Sequence, residues 1–148
     1  RGAAQAVTFV TGHAAHGEPD LDWTALARPN QTVVVYMGVS TASLIAERLT
    51  AAGRVGSTPA LIVENASRAD ERRILTTLAG LALAAEGLKG PVLLMVGEAM
   101  AMADVEPDNV VLRQAQDEVV SGAAVDLILS LSKDEVAFPN VQRVSPGQ

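Results

Sequence analysis

His13, His16 and Glu18 are the residues of this 148-residue chain whose types and spacing first suggest chemistry, because His-x-x-His on a helix sets two imidazoles together as metal ligands. Gly12, Gly17 and Pro19 break any helix there, and the chain has neither a third His nor a Cys. These are read as scattered loop histidines, with no metal site. The absence of Cys also removes a thiol nucleophile, a thiolate zinc site and a disulfide framework. No Gly-x-Gly-x-x-Gly, Walker loop, Gly-x-Ser-x-Gly or paired-carboxylate motif occurs, so phosphate cradling and serine hydrolysis have no support. Chemistry is left to loops that follow predicted strands: Thr11-Gly12-His13, Tyr36-Met37-Gly38, Glu64-Asn65-Ala66-Ser67 and, as a fourth, Gly97-Glu98. Small residues at such places let a ligand come close to the backbone. Glu64 and Asn65 stand where open α/β sheets gather ligand contacts, and ordinary turn bonding by Asn and Ser accounts for them as well.

The elements that must position these loops are legible as short apolar runs. Gln5–Thr11 and Gln31–Met37 are β-branched, aromatic-bearing and end beside a Gly, as strands entering a loop do. Between them Trp23, Leu26 and Ala27 have helical spacing, which predicts one short helix with Trp23 buried. Ala42, Ile45, Ala46 and Leu49 follow the i, i+3, i+4, i+7 pattern, with Ser40 or Thr41 as the cap and Gly53 as the stop. Ala60–Val63, introduced by Pro59, reads as a central parallel strand apolar on both faces, completing a βαβ unit. The stretch from Ser67 to Glu86 allows either one long helix, with Ser67 and Asp70 imitating a capping box, or a strand at Arg72–Thr76 before a shorter helix capped by Thr77. Pro91–Val96 is a further buried strand ending at Gly97, and the organised part stops near Asp104.

Composition sets the outer bounds. The chain is 49% apolar and 19% charged, which suits one compact domain. Residues 1–103 carry 8 Lys and Arg against 9 Asp and Glu, while residues 104–148 carry 3 against 8, so the excess negative charge sits in the last third. Neither part has a basic stripe able to neutralise several phosphates, which argues against nucleic acid. The apolar stretch Ile74–Ala85 falls short of the roughly 20 residues a membrane span needs. A soluble, cytoplasmic protein without a membrane partner is expected. In the acidic tail Asp117-Glu118-Val119 recurs as Asp134-Glu135-Val136 around the apolar run Val125–Leu131, and a solvated or partly helical extension is the expectation. The first residue is Arg1 rather than Met, which reads as a piece of a longer protein.

Three strings carry a resemblance: AVTFVTGHAAHGEPDLDWTALARPNQTVVVYMG, LIVENASRADERR and LLMVGEAMAM. From Arg1 to about Asp104 the chain resembles the C-terminal half of the uroporphyrinogen-III C-methyltransferases, in the tetrapyrrole methylase family. FVTGH, GEPDLDW, VVYMG and VEN occur in the family's order and at its separations. The resemblance implies an α/β domain with a mostly parallel or mixed sheet flanked by helices, an edge strand at Glu71–Thr76 and a helix at Thr77–Ala85. Residues 1–103 would be this C-terminal domain, and residues 104–148 a tail outside the family.

The function implied is transfer of methyl groups from S-adenosyl-L-methionine to two pyrrole carbons of uroporphyrinogen III, giving precorrin-2 for sirohaem and cobalamin. In the family the cofactor lies in the cleft between two domains, and its positions match Met37 and Ala66 here, with Tyr36, Gly38, Asn65 and Gly97 beside them. Many relatives have Gly-Thr where this chain has Ala66-Ser67. Thr11, Gly12 and His13 fall at the substrate side for a tetrapyrrole. The family's GxGPGD and GGDP loops and its acid and base candidates belong to a first domain that is absent here, so no catalytic residue is assigned and the chain alone is expected to be inactive. The resemblance further implies a homodimer. Two alternatives stand beside it: another tetrapyrrole (precorrin) methyltransferase, or a non-catalytic dimerising remnant.

Overall fold

The computed structural model describes residues 2–106 together with 109 and 111. The described elements are five strands, β1 (Ala6–Thr11), β2 (Gln31–Tyr36), β3 (Pro59–Glu64), β4 (Arg72–Thr77) and β5 (Val92–Val96), with α1 (Trp23–Leu26) after β1, α2 (Ala42–Ala51) after β2 and α3 (Leu81–Ala84) after β4; a 3-10 turn spans Glu98–Met102. They form one sheet in the order β1-β2-β5-β3-β4. Only β1 and β2 pair in parallel, and the β2/β5, β5/β3 and β3/β4 ladders are antiparallel. The sheet is therefore mixed, which corrects the mostly parallel alternative.

All six β3 residues are buried, as the apolar run predicts, yet both neighbours of β3 are antiparallel. A continuous apolar run reports burial on two faces and carries no information on strand direction. Strands β2 and β3 do run the same way, being both antiparallel to β5, but β5 lies between them. The βαβ unit is thus split by the last strand of the chain's sheet.

One face of the sheet carries the core. Val33, Val35, Leu94, Val96, Ala60, Ile62 and Ile74 pack there against Leu26 of α1, Ile45 and Leu49 of α2, and Leu81 and Ala84 of α3. Trp23 is half-buried at the margin of this cluster rather than inside it, because Leu26 and Ala27 take the buried positions of its short helix. Helix α2 forms as its spacing predicts, but Thr41 makes no side-chain cap bond; its hydroxyl is used elsewhere. The strand reading of Arg72–Thr76 is correct, and the following helix shrinks to four residues capped at Gly80 rather than Thr77. Past Asp104 the chain still touches the sheet: the N–H of Val111 donates to the carbonyl of Leu75 at 2.8 Å and its side chain packs on the core. Contacts therefore extend beyond the expected limit. The expectations for the tail, including Val125–Leu131, lie outside the described residues.

Candidate functional site

Because β1, β2 and β3 run the same way, their C-terminal ends share one edge of the sheet, and β5 and β4 begin there. Thr11 is level with Tyr36, Tyr36 with Leu93, Leu93 with Val63, and Val63 with Arg73. This row gathers the loops of Thr11-Gly12-His13, Tyr36-Met37-Gly38 and Asn65-Ala66. Gly97 does not join them. It follows β5 at the opposite edge, where its N–H donates to Pro59 at the start of β3, because β5 is antiparallel.

The first two loops are fitted together by glycines. The N–H of Gly12 donates to the carbonyl of Tyr36 at 2.7 Å. A Cβ on Gly12 would stand 2.7 Å from Gly38 Cα, and one on Gly38 would meet Leu94, Val35 and Ile45 at 2.9 to 3.2 Å. Thr41, which sequence reasoning treated only as a cap, closes the junction: its Oγ1 donates toward the carbonyls of Gly12 at 3.0 Å and Gly38 at 3.3 Å. Met37, between these fixed points, has φ 53 and is 62% exposed. A non-glycine residue held left-handed carries some cost in strain. His13 and His16 are exposed, and Glu18 is committed to Arg48 at 2.6 Å, tying the long loop to α2. That short contact with the Glu18 carboxylate raises the Arg48 pKa.

The third loop is fixed by its own carboxylates and amide. Asn65 has φ 54, its N–H donates to the Pro91 carbonyl at 2.9 Å, and its Nδ2 donates to Asp70 Oδ2 at 2.9 Å. Glu71 accepts from the N–H of Ser67 at 2.7 Å and from Arg73 Nε at 2.7 Å, which together hold its carboxyl below the usual range. Ala66, exposed between these anchors, is left as the point of approach.

On the face opposite the core lies a groove of roughly 380 Å3, floored by Leu61, Val63, Leu93 and Met95 and rimmed by Ala66, Ala103 and the charged Glu71, Arg73 and Asp104. That is within the size range of small-molecule sites. These floor residues were not legible as a site, because the sequence reads their strands as buried on both faces. Two strand spacings, about 10 Å, separate the β2 end that carries Met37 from the β3 end that carries Asn65 and Ala66. A ligand touching both must cross the start of β5. The groove offers shape, apolar surface and backbone groups, so it can hold and orient a molecule. Among the described residues no group of three or more His, Cys, Asp or Glu side chains is placed to hold a metal ion.

A mixed sheet with a split βαβ unit and small-residue loops gathered at one edge defines a mixed α/β domain. The family model of the tetrapyrrole (corrin/porphyrin) methylases matches residues 2–82, and the chain belongs to that family. It is 51% identical over 106 residues to a siroheme synthase of Chromobacterium violaceum, covering 70% of this chain and 23% of that protein. Among solved structures it resembles the uroporphyrin-III C-methyltransferase of Thermus thermophilus complexed with S-adenosyl homocysteine, with TM-score 0.60, 36% identity, 70% of this chain and 46% of that one. A cobalt precorrin-4 methyltransferase, at 22% identity and TM-score 0.59, shares the fold over 66% of this chain and 42% of its own. The chain thus spans about a quarter of the siroheme synthase and under half of the methyltransferases. No helix among the described residues is long and apolar enough to cross a membrane.

Proposed function

We propose that this chain supplies one half of an S-adenosylmethionine site for C-methylation of uroporphyrinogen III to precorrin-2. The observation that carries the reading is the groove with Ala66 at its rim, on the sheet edge where Met37 is held left-handed and exposed. The residues fit an adenosyl ligand: the floor is apolar, Ala66 at the rim is small and exposed, and Glu71, Arg73 and Asp104 beside it offer polar partners. When bound, the cofactor would supply an electrophilic sulfonium methyl to a pyrrole ring carbon; that carbon bears a side chain and no hydrogen, so the balancing proton would leave from elsewhere on the macrocycle, with the C–S electron pair staying on sulfur. The work of this chain is to bind and align. Leu61, Val63, Leu93 and Met95 exclude water from one side, and the loops of Met37 and Ala66 set the ligand's position. In-line displacement gains its rate from such alignment and from a closed, dry site.

An open groove closes only half a site. The match to 46% of the Thermus methyltransferase supports a second part, on this polypeptide or another, that completes it. An assay with uroporphyrinogen III and S-adenosylmethionine tests the reading. This chain alone should give no product, and addition of the N-terminal half of a uroporphyrin-III C-methyltransferase should give methylated product. Turnover by the chain alone contradicts the half-site, and no turnover in the mixture contradicts the substrate. Self-association is favoured by one further observation: Val7 and Phe9 on edge strand β1 are more than half exposed, with Phe9 stacked toward Tyr36 at 6.2 Å. Sedimentation should report a dimer that Phe9→Lys dissociates, and an unchanged monomer refutes it.

A further inference from the structure

Glu64 ends β3 beside the groove, yet it turns away from it. It lies cross-strand from Val92, which belongs to the core face, and only 7% of its surface is exposed. Its Oε1 accepts the N–H groups of Lys89 and Gly90, each at 2.9 Å, and its Oε2 faces Arg72 Nη1 at 3.6 Å. The same seam is joined next door by the Asn65 N–H to the Pro91 carbonyl. A Cβ on Gly90 would overlap the Asn65 carboxamide, so the two segments touch with no room between them. An apolar residue would be cheaper to bury at the end of β3 than a carboxylate. What the carboxylate adds is direction, because charge-assisted bonds to two successive amides fix both distance and angle.

We propose that Glu64 is a positioning residue: by clamping the turn Lys89–Gly90 to the end of β3, it sets where the left-handed Asn65 and the exposed Ala66 stand relative to the groove, and thereby the affinity for the adenosyl ligand. This rests on the cofactor reading above. Glu64 touches no ligand and acts through the loop that follows it. The bonds from the Gly90 and Lys89 amides also hold its carboxyl below the usual range against the effect of burial, so the clamp stays charged at neutral pH.

The test is a titration of the 148-residue chain with S-adenosylhomocysteine, followed by amide resonances. Glu64→Ala should raise Kd about tenfold or more, since two charge-assisted bonds are removed and tenfold is only part of their worth. The Lys89 and Gly90 amide protons should lose their downfield shift while the methyl signals of Ile62 and Leu94 stay in place. Glu64→Gln, which keeps an acceptor oxygen, should recover most of the affinity. Leu78→Val, a buried core change at the far edge of the sheet, should lower stability and leave Kd at the parent value. Should Glu64→Ala fail to fold, Gly90→Ala strains the same seam with the carboxylate intact and should weaken binding likewise. Unchanged Kd in Glu64→Ala, or in Gly90→Ala, overturns the proposal, as does a Leu78→Val variant that weakens binding as much. A parent chain that binds no S-adenosylhomocysteine overturns the cofactor reading and this proposal with it, whereas a binding parent with indifferent variants overturns the proposal alone.

Discussion

On β5 the side chains of Val92, Leu94 and Val96 meet the helices and are 7% exposed or less, while Leu93 and Met95, on the other face of the same strand, remain partly open. The contrast runs across the sheet. Ile62 and Leu94 are sealed under α2 and α3, whereas Tyr36 and Phe9 on the opposite face are 46% and 64% exposed. Both faces are apolar, so composition alone does not separate them. The core face is covered by helices drawn from the intervening sequence; on the other face Val34, Leu61 and Val63 are only 6 to 8% exposed, and Phe9, Tyr36, Leu93 and Met95 stay partly or largely open around them. Stability should therefore reside on one face and binding on the other.

The largest effect should come from cutting the covered face. Leu94→Ala removes a fully buried side chain at the centre of the sheet and should cost about 2 to 5 kcal/mol, the range for such cavities. Met95→Ala, its neighbour on the open face, should cost less, about 1 to 2 kcal/mol, because its side chain is only partly buried. Urea denaturation of the pair reads the difference, and equal losses would erase the distinction between faces. Next in size is Gly12→Ala. Its methyl would stand 2.7 Å from the Gly38 backbone, which has no rotamer to yield, so a loss of about 1 to 3 kcal/mol by the same measurement is expected. A neutral result would show that the two loops are not locked.

This junction marks where sequence reasoning reached its limit. The strands, α2 and the glycine-bearing loops were legible, because β-branched runs and a 3.6-residue period are local properties. The pairing of β3 was not. It depends on β5, which arrives some thirty residues later and inserts between β2 and β3. The same insertion explains why Gly97, read as one more strand-end glycine, stands at the wrong edge. There it adjoins buried Arg54, whose guanidinium donates to the carbonyls of Arg28 and Gln31 and pairs with Glu98 at 3.0 Å. The expectation for Met37 and Ala66 came from the family resemblance, not from any local pattern. Thr41 and Glu64 could not be assigned their roles from sequence, since a hydroxyl that bridges two loops and a carboxylate that grips a distant turn have no sequence period.

Smaller effects sharpen the comparison from the open face. Ala66→Leu should change stability by no more than about 0.5 kcal/mol, as exposed loop substitutions do, while abolishing cofactor binding in the completed two-domain site. Ala66→Gly, which leaves the approach to the loop at least as open, should bind at least as well. Parallel loss of stability and binding in the Leu variant would make Ala66 an ordinary turn residue. The least effect is expected in acid. The Glu64 carboxyl is held below its ordinary value in the folded chain, so its contribution is fully present above the unfolded glutamate pKa and is lost as pH falls through the folded one. Glu64→Gln should therefore flatten, without abolishing, the fall in thermal midpoint on acidification, because Glu71 retains a contribution of the same sign. An unaltered slope would mean that Glu64 is not charged in the fold.

The central claim, that the open face and its loop edge form half of an adenosyl site, is tested most directly by calorimetric titration of S-adenosylhomocysteine into this chain, alone and with the N-terminal half of a uroporphyrin-III C-methyltransferase. Weak binding alone is expected, with an affinity at least about tenfold higher in the mixture, a gain of about 1.4 kcal/mol. The absence of binding in both, or the same affinity in both, would contradict it.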